Sequence, residues 1–321
     1  MTEKSEVLGN IQATKNLYEI YPVLATLRVT PGWNKKRPSL WKEPRTEYTP
    51  QHWSYEICGA AIERAGQWIS TELAERRNTL LFNPVGDNDY DTVRTLVAAY
   101  QMIKPGEYAR AHRHSPNAMR LILDAKPGCF TVVDGVALPM ESGDFLLTPG
   151  GCWHSHFYEQ TTDSNAYWID FLDVPLVHRL EPMFFEEHPE GHQPIDVRAT
   201  SHAWYFPAAH TTEQLAAQLE VNGLRRLLLD TQAHIPTVEI SYLGLGAERV
   251  WFARDTSSRI LAVTEGEGQA RVGTLDIKWK RGDVMAVPSW HEFWLESDGK
   301  ATVLEVSDRP VLEKLGLYRK G

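Results

Sequence analysis

Cysteine is scarce in this 321-residue chain: Cys58, Cys129 and Cys152 are odd in number and widely scattered. That pattern leaves no disulfide framework and no Cys-x-x-Cys metal pair, and it fits a reducing cytosol. Long apolar runs are missing as well, so no segment reaches the roughly 18 residues that a membrane-crossing helix needs. The stretch from Met1 to Val7 lacks the apolar core of a secretory leader, which makes a cytoplasmic protein the expectation. No basic run occurs, and 33 Lys and Arg against 42 Asp and Glu give a net charge of −9. Neither nucleic acid nor a membrane surface is an expected partner for such a chain. Gly (22) and Pro (19) are ordinary in number, which excludes collagen-like and low-complexity classes. Gly-rich phosphate loops, a Ser nucleophile elbow and a reactive-Cys signature are all absent.

What remains is the composition of a globular protein, 42% apolar and 23% charged. The length is about twice that of a ~150-residue domain, so two core-bearing units are expected. Eleven Trp and twelve Tyr line binding cavities as readily as they fill β-rich cores. Residues 1–50, with Pro31, Pro38, Pro44 and Pro50, read as an irregular arm whose Trp33, Trp41 and Tyr48 pack on another surface. Ile57, Ala61, Ala65, Trp68, Ile69 and Leu73 recur at helical steps over 54–77, with Gly59 and Gly66 as break points. Beyond Leu80 come short strand-like runs separated by turn pairs, the pattern of a sandwich or barrel. A His-, Pro- and Glu-rich connector spans 176–211. It leads into a predicted helix at 212–221, with Thr211 and Gln214 as a capping box and Asn222-Gly223 as its stop. Strand-like runs then resume to the end.

An internal repeat organises these runs. Asp134-Gly135 followed by Gly143-Asp144 and Pro149 is echoed by Val272-Gly273, Gly282-Asp283 and Pro288. The two Gly-Asp pairs and the two prolines are each 139 residues apart. Equal offsets at two landmarks indicate duplication and predict two similar β-barrels in tandem. The expected division is an arm with a helical segment over 1–90, a first barrel over 91–178, a connector with a short helix over 179–222, and a second barrel over 223–321.

His112-Arg113-His114 lies at the start of a predicted strand, where alternation points both imidazoles to one face and Arg113 to the other. Forty residues after His114, the run Gly143 to His154 supplies a third imidazole at the end of the Gly-Asp strand. Three neutral imidazoles suit a divalent transition metal while leaving positions open for substrate. His188 and His192 have helix-face spacing, but Pro189 and Gly191 between them predict a solvated loop.

The His-x-His and Gly-x5-Pro-x-Gly-x-x-His motifs resemble those of the cupin superfamily. Its usual first-motif Glu is missing, because Ala118 and Met119 stand at the corresponding positions. Asn83-Pro84, Tyr100-Gln101, the run Ala111 to Arg120, Trp153-His154-Ser155-His156 and Trp168 to Asp173 resemble the bicupin gentisate and salicylate 1,2-dioxygenases. The likeness is close over residues 55–178 and loose elsewhere. It implies a mainly β fold of two tandem cupin jelly-roll barrels, an N-terminal arm and a few short helices. It further implies one Fe(II) per chain on His112, His114 and His154. That site would take a small aromatic acid through its carboxylate and ortho hydroxyl, together with O2. Arg120 is expected to meet the substrate carboxylate or superoxide, with Gln101 and Arg76 as further holders of the same anion. His156 is expected to orient or deprotonate the substrate hydroxyl, with Asp170 as its partner. The alternatives for Arg120 and Asp170 are a surface salt bridge and a turn or cap. The implied reaction is ring cleavage of a gentisate, a salicylate or a 5-substituted salicylate, and the implied assembly is a homotetramer. A metal-dependent cupin isomerase or sugar-modifying enzyme, and a small-molecule-binding bicupin, stand as alternatives.

Carrying the repeat into the second half sets Ala253 opposite His112, Asp255 opposite His114, Leu261 opposite Arg120 and Phe293 opposite His154. His291 falls two residues early. The second barrel is therefore expected to lack a metal site and to serve packing, assembly or closure.

Overall fold

A computed structural model describes residues 3–71, 77–159 and 162–321. It divides the chain into Met1–Pro44 and Arg45–Gly321. The first unit is not irregular. It holds helices Glu3–Ala13 and Leu17–Thr26, the second started by Asn16, whose side chain accepts the Tyr18 and Glu19 N–H groups at 3.0 and 3.1 Å. This cap and the short apolar run that follows outweigh Pro22 inside the helix. Trp33 and Trp41 are exposed, at 71% and 54%, where packing was expected. Tyr48, in the second unit, is buried and donates to Asp91 at 2.6 Å.

The second unit is two jelly-roll barrels, as the repeat predicts. One sheet of the first barrel runs in the order Tyr205–Phe206, Phe145–Thr148, Ala118–Asp124, Ala166–Leu172, Val97–Ile103, Arg77–Leu80. Its other sheet runs Phe185–Glu187, Tyr108–His114, His154–Tyr158, Cys129–Val133, Val136–Pro139, Val197–Arg198. Three of these strands come from the stretch that composition marks as connector. In the second barrel, a six-stranded sheet centred on Arg259–Glu265 and Ala301–Ser307 faces a four-stranded one centred on Phe293–Ser297 and Glu267–Val272. Gln51–Trp53 adds an edge strand to that six-stranded sheet.

Two helix boundaries differ from expectation. The helix foreseen over 54–77 is Tyr55–Ala65, closing on Gly66, where an added Cβ would sit 2.4 Å from the Met102 methyl carbon. The helix foreseen at 212 starts earlier, as Ala208–Ala216 after Pro207. Thr211 is thus inside it and bonds back to Ala208 O at 3.1 Å instead of capping.

The outer face of the first barrel's sheet that contains Val97–Ile103 packs on the outer face of the second barrel's six-stranded sheet. Tyr100, Leu121, Ile169 and Phe171 share one buried cluster with Ile240, Tyr242, Ile260 and Leu304. This face-to-face layer uses one side of each sheet and leaves the opposite side, inside each barrel, for other contents. Among the described residues no helix is long and apolar enough to cross a membrane.

Candidate active site

Inside the first barrel, the antiparallel register sets His112 directly opposite His154. Ring centroids lie 4.2 Å apart for His112–His154, 4.9 Å for His114–His154 and 5.7 Å for His112–His114. One ligand atom from each of the three falls within 4.8 Å of the others. His112 and His154 are buried and His114 is half-buried. Each Nδ1 is held by a backbone carbonyl: Arg110 for His112 at 3.1 Å, Pro116 for His114 at 2.8 Å, Cys152 for His154 at 3.1 Å. A carbonyl only accepts, so these contacts place the proton on Nδ1 and leave the Nε2 lone pair for a metal. The donor set fits a divalent transition ion.

The turns beside these strands were not singled out from sequence. Asn117 donates to Asp173 at 2.7 Å through its backbone and 2.8 Å through its side chain, and its side-chain oxygen accepts Gly150 N–H at 2.9 Å. An added Cβ at Gly150 would stand 2.2 Å from Ser115 O, so the ligand loops approach too closely for any side chain there. Burial pushes the Asp173 carboxyl above the usual carboxylate range. The only sequence signal was the Asn within His-Ser-Pro-Asn.

Arg120 lines the interior and is fully buried, which removes the surface salt-bridge alternative. Its Nε donates to Asp170 Oδ1 at 3.0 Å and its Nη1 to Thr148 at 2.6 Å. The same Asp170 oxygen accepts Trp168 Nε1 at 3.0 Å. Asp170 therefore partners Arg120 and Trp168, where sequence reasoning paired it with His156. Its position in the middle of a strand also excludes a turn or cap. His156 is fully buried two residues beyond His154, with its ring 6.2 Å from His154 and 5.5 Å from Trp168. Gln101 lies across from Trp168 and is 3% exposed. Its Oε1 has no hydrogen-bond partner among the described residues. Arg76 lies outside the described residues.

The second barrel shows what the same scaffold looks like without this chemistry. Phe293 pairs with Phe252 as His154 pairs with His112. The counterpart of His112 is thus Phe252, one residue before the Ala253 expected. From this pair to the next matched pair, Arg120 and Leu261, the second barrel runs nine residues (252 to 261) against eight in the first (112 to 120), and that longer turn shifts the count by one. Leu261 faces Glu305 as Arg120 faces Asp170. Phe252 and Phe293 stack at 4.3 Å, and buried Leu243, Leu261 and Leu295 close around them. Among the described residues no imidazole belongs to this apolar cluster. His291 Nδ1 contacts Ser289 O at 3.2 Å, outside the three-histidine group.

A cupin-domain family model matches residues 99–172. Gentisate 1,2-dioxygenase 1 of Aquipseudomonas alcaligenes is 30% identical over 338 residues, 96% of each chain. The chain belongs to the gentisate/salicylate 1,2-dioxygenase family. It is a ring-cleaving dioxygenase by that membership. The 5-aminosalicylate 1,2-dioxygenase of a Comamonas species is 30% identical over 341 residues, covering 95% of this dioxygenase and 90% of that one. A crystal structure of a variant salicylate 1,2-dioxygenase from Pseudoaminobacter salicylatoxidans in complex with gentisate superposes with a TM-score of 0.84. That pair is 25% identical and covers 97% and 96% of the two chains. The bicupin architecture and the three-histidine group of this dioxygenase agree with that kinship.

Proposed function

We propose that this dioxygenase holds one Fe(II) per chain on His112, His114 and His154. There it cleaves the ring of a 2-hydroxybenzoate (gentisate, salicylate or a 5-substituted salicylate such as a nitro- or halosalicylate) between the carboxyl- and hydroxyl-bearing carbons. The observation that carries this reading is the set of three imidazoles with Nδ1 fixed, lying in a barrel that also buries an arginine. Three neutral ligands leave the bound ion its full positive charge, and a ferrous ion supplies the redox partner through which triplet dioxygen reacts with a closed-shell aromatic ring. Both oxygen atoms enter the product, so no external reductant is required.

The protein's own groups do the rest. Asp170 and Thr148 fix the plane of the Arg120 guanidinium, which then meets the substrate carboxylate with little reorganisation. His156, whose imidazole can both accept and donate a proton, takes or directs the hydroxyl proton. Gln101 Oε1 accepts a hydrogen bond from the substrate, and Arg76 is proposed as a second cation for its carboxylate. The apolar wall around Trp168 keeps water from the ring. With its three free cysteines, the enzyme is proposed to work in the cytoplasm, as a homotetramer.

The test is anaerobic Fe(II) loading followed by oxygen uptake on gentisate, salicylate, nitro- and halosalicylates and 1-hydroxy-2-naphthoate. Stoichiometric uptake with a new near-ultraviolet band from an unsaturated oxo-diacid is the expected result. Substrate conversion without oxygen consumption would replace it with metal-assisted isomerisation.

A further inference from the structure

We propose that Asp134 is a positioning residue that holds the metal ligand His154. Asp134 and Gly135 make the turn between Cys129–Val133 and Val136–Pro139. The Asp134 backbone is left-handed, with φ of 43°, a region that Asp enters more readily than most residues other than glycine. Its N–H donates to Trp153 O at 2.8 Å, and its carboxylate accepts the Trp153 N–H at 2.7 Å. Cys152 O, in turn, takes the His154 Nδ1–H at 3.1 Å. The carboxylate thus holds the N–H of the same planar peptide unit whose carbonyl, Cys152 O, sets the tautomer of the ligand.

The far side of the turn is fixed as well. Gly135 N–H donates to Gln193 Oε1 at 3.0 Å, and the buried Gln193 donates to Val132 O at 3.0 Å. An added Cβ on Gly135 would run into Asp196. Asp134 therefore projects from an anchored turn.

The duplicated barrel supplies an internal control. Gly273 N–H donates to Glu292 O at 3.0 Å, just as Asp134 N–H donates to Trp153 O. Glu292 precedes Phe293 as Trp153 precedes His154. Gly273 has φ of 54°, the same left-handed backbone, filled by the residue that takes it without steric cost. The barrel without imidazoles uses glycine there, and the barrel with them carries a carboxylate in a conformation that glycine would satisfy more easily.

This inference rests on the three-histidine metal reading, and Co(II) titration of the full chain tests both. Metal-free wild type, Asp134→Gly and Asp134→Asn are titrated with Co(II) against a chelator, and the ligand-field bands are recorded. Asp134→Gly restores the residue this backbone prefers, so circular dichroism is expected to show the wild-type fold. Its Co(II) affinity is expected to fall about tenfold or more, with shifted bands. Asp134→Asn keeps an oxygen for the Trp153 N–H and is expected to recover most of the affinity. Wild-type affinity and bands in Asp134→Gly would overturn the proposal. A wild-type chain that takes up no Co(II) at all would instead bring down the metal site itself.

Discussion

Replacing Asp170 by alanine strands two buried donors at once. Arg120 Nε and Trp168 Nε1 both point at Asp170 Oδ1 from 3.0 Å, and all three side chains are at most 1% exposed. Breaking a buried ion pair from one side costs about 3–5 kcal/mol, because the surviving charge stays out of water. For a chain of 321 residues the unfolding entropy is about 0.7 kcal/mol/K, so a loss near 4 kcal/mol lowers the melting temperature by roughly 6 °C. Turnover falls with it, since nothing then fixes the guanidinium plane. The double variant Arg120→Met/Asp170→Leu separates the two effects. With both charges gone and similar volume filled, most of the stability is expected to return. Activity is not, because a charge-assisted contact worth about 3 kcal/mol in the transition state corresponds to roughly a 100-fold loss in kcat/KM. Thermal melts and steady-state kinetics on the same preparations decide the matter. A double variant that is stable and turns over at the wild-type rate would refute the idea that Arg120 meets the substrate.

Two further outcomes follow from the second barrel and the joint between barrels. Phe293→Ala opens a cavity against Phe252 and is expected to cost about 3–5 kcal/mol in denaturant titration while leaving the iron content unchanged; iron loss would show that the two interiors are not independent. Asp308 accepts Thr95 Oγ1 of the first barrel at 2.6 Å and Ser258 N–H of its own barrel at 2.7 Å, and burial pushes its carboxyl up to about 6. A raised folded-state value means that the native chain binds this proton more tightly than the unfolded one. The favourable contribution is therefore complete below about pH 4 and is lost as pH rises through 6. Wild type minus Asp308→Asn is expected to drop by up to about 3 kcal/mol between pH 4 and 7; parallel stability curves would contradict that.

The interior of the first barrel was legible because it depends on few rules. Alternation put His112 and His114 on one face, and the duplicated Gly-Asp and Pro landmarks placed His154 and its second-half counterpart Phe293. The slip from Phe252 to Ala253 came from a turn that is one residue longer between Phe252 and Leu261 than between His112 and Arg120, a difference that leaves no pattern in composition. Asp170 was assigned the wrong neighbour because strand register, rather than spacing along the chain, decides who meets whom: Asp170 lies across from Arg120. The arm helices escaped notice since Pro22 and the surrounding prolines mask a helix whose side chains bury nothing. Strands such as Phe185–Glu187 are three residues long and form only by adding to an existing edge, so no local periodicity announces them. The clamp of Asn117 on Asp173 and Gly150 is tertiary throughout and has no counterpart in local pattern.

Iron stoichiometry tests the central claim most directly. Wild type, His114→Ala and His291→Ala are loaded with Fe(II) under anaerobic conditions, desalted and measured by elemental analysis. The expected result is one iron per chain in wild type, none in His114→Ala and one in His291→Ala. Two irons per wild-type chain, or equal loss in both variants, would contradict a single centre built from His112, His114 and His154.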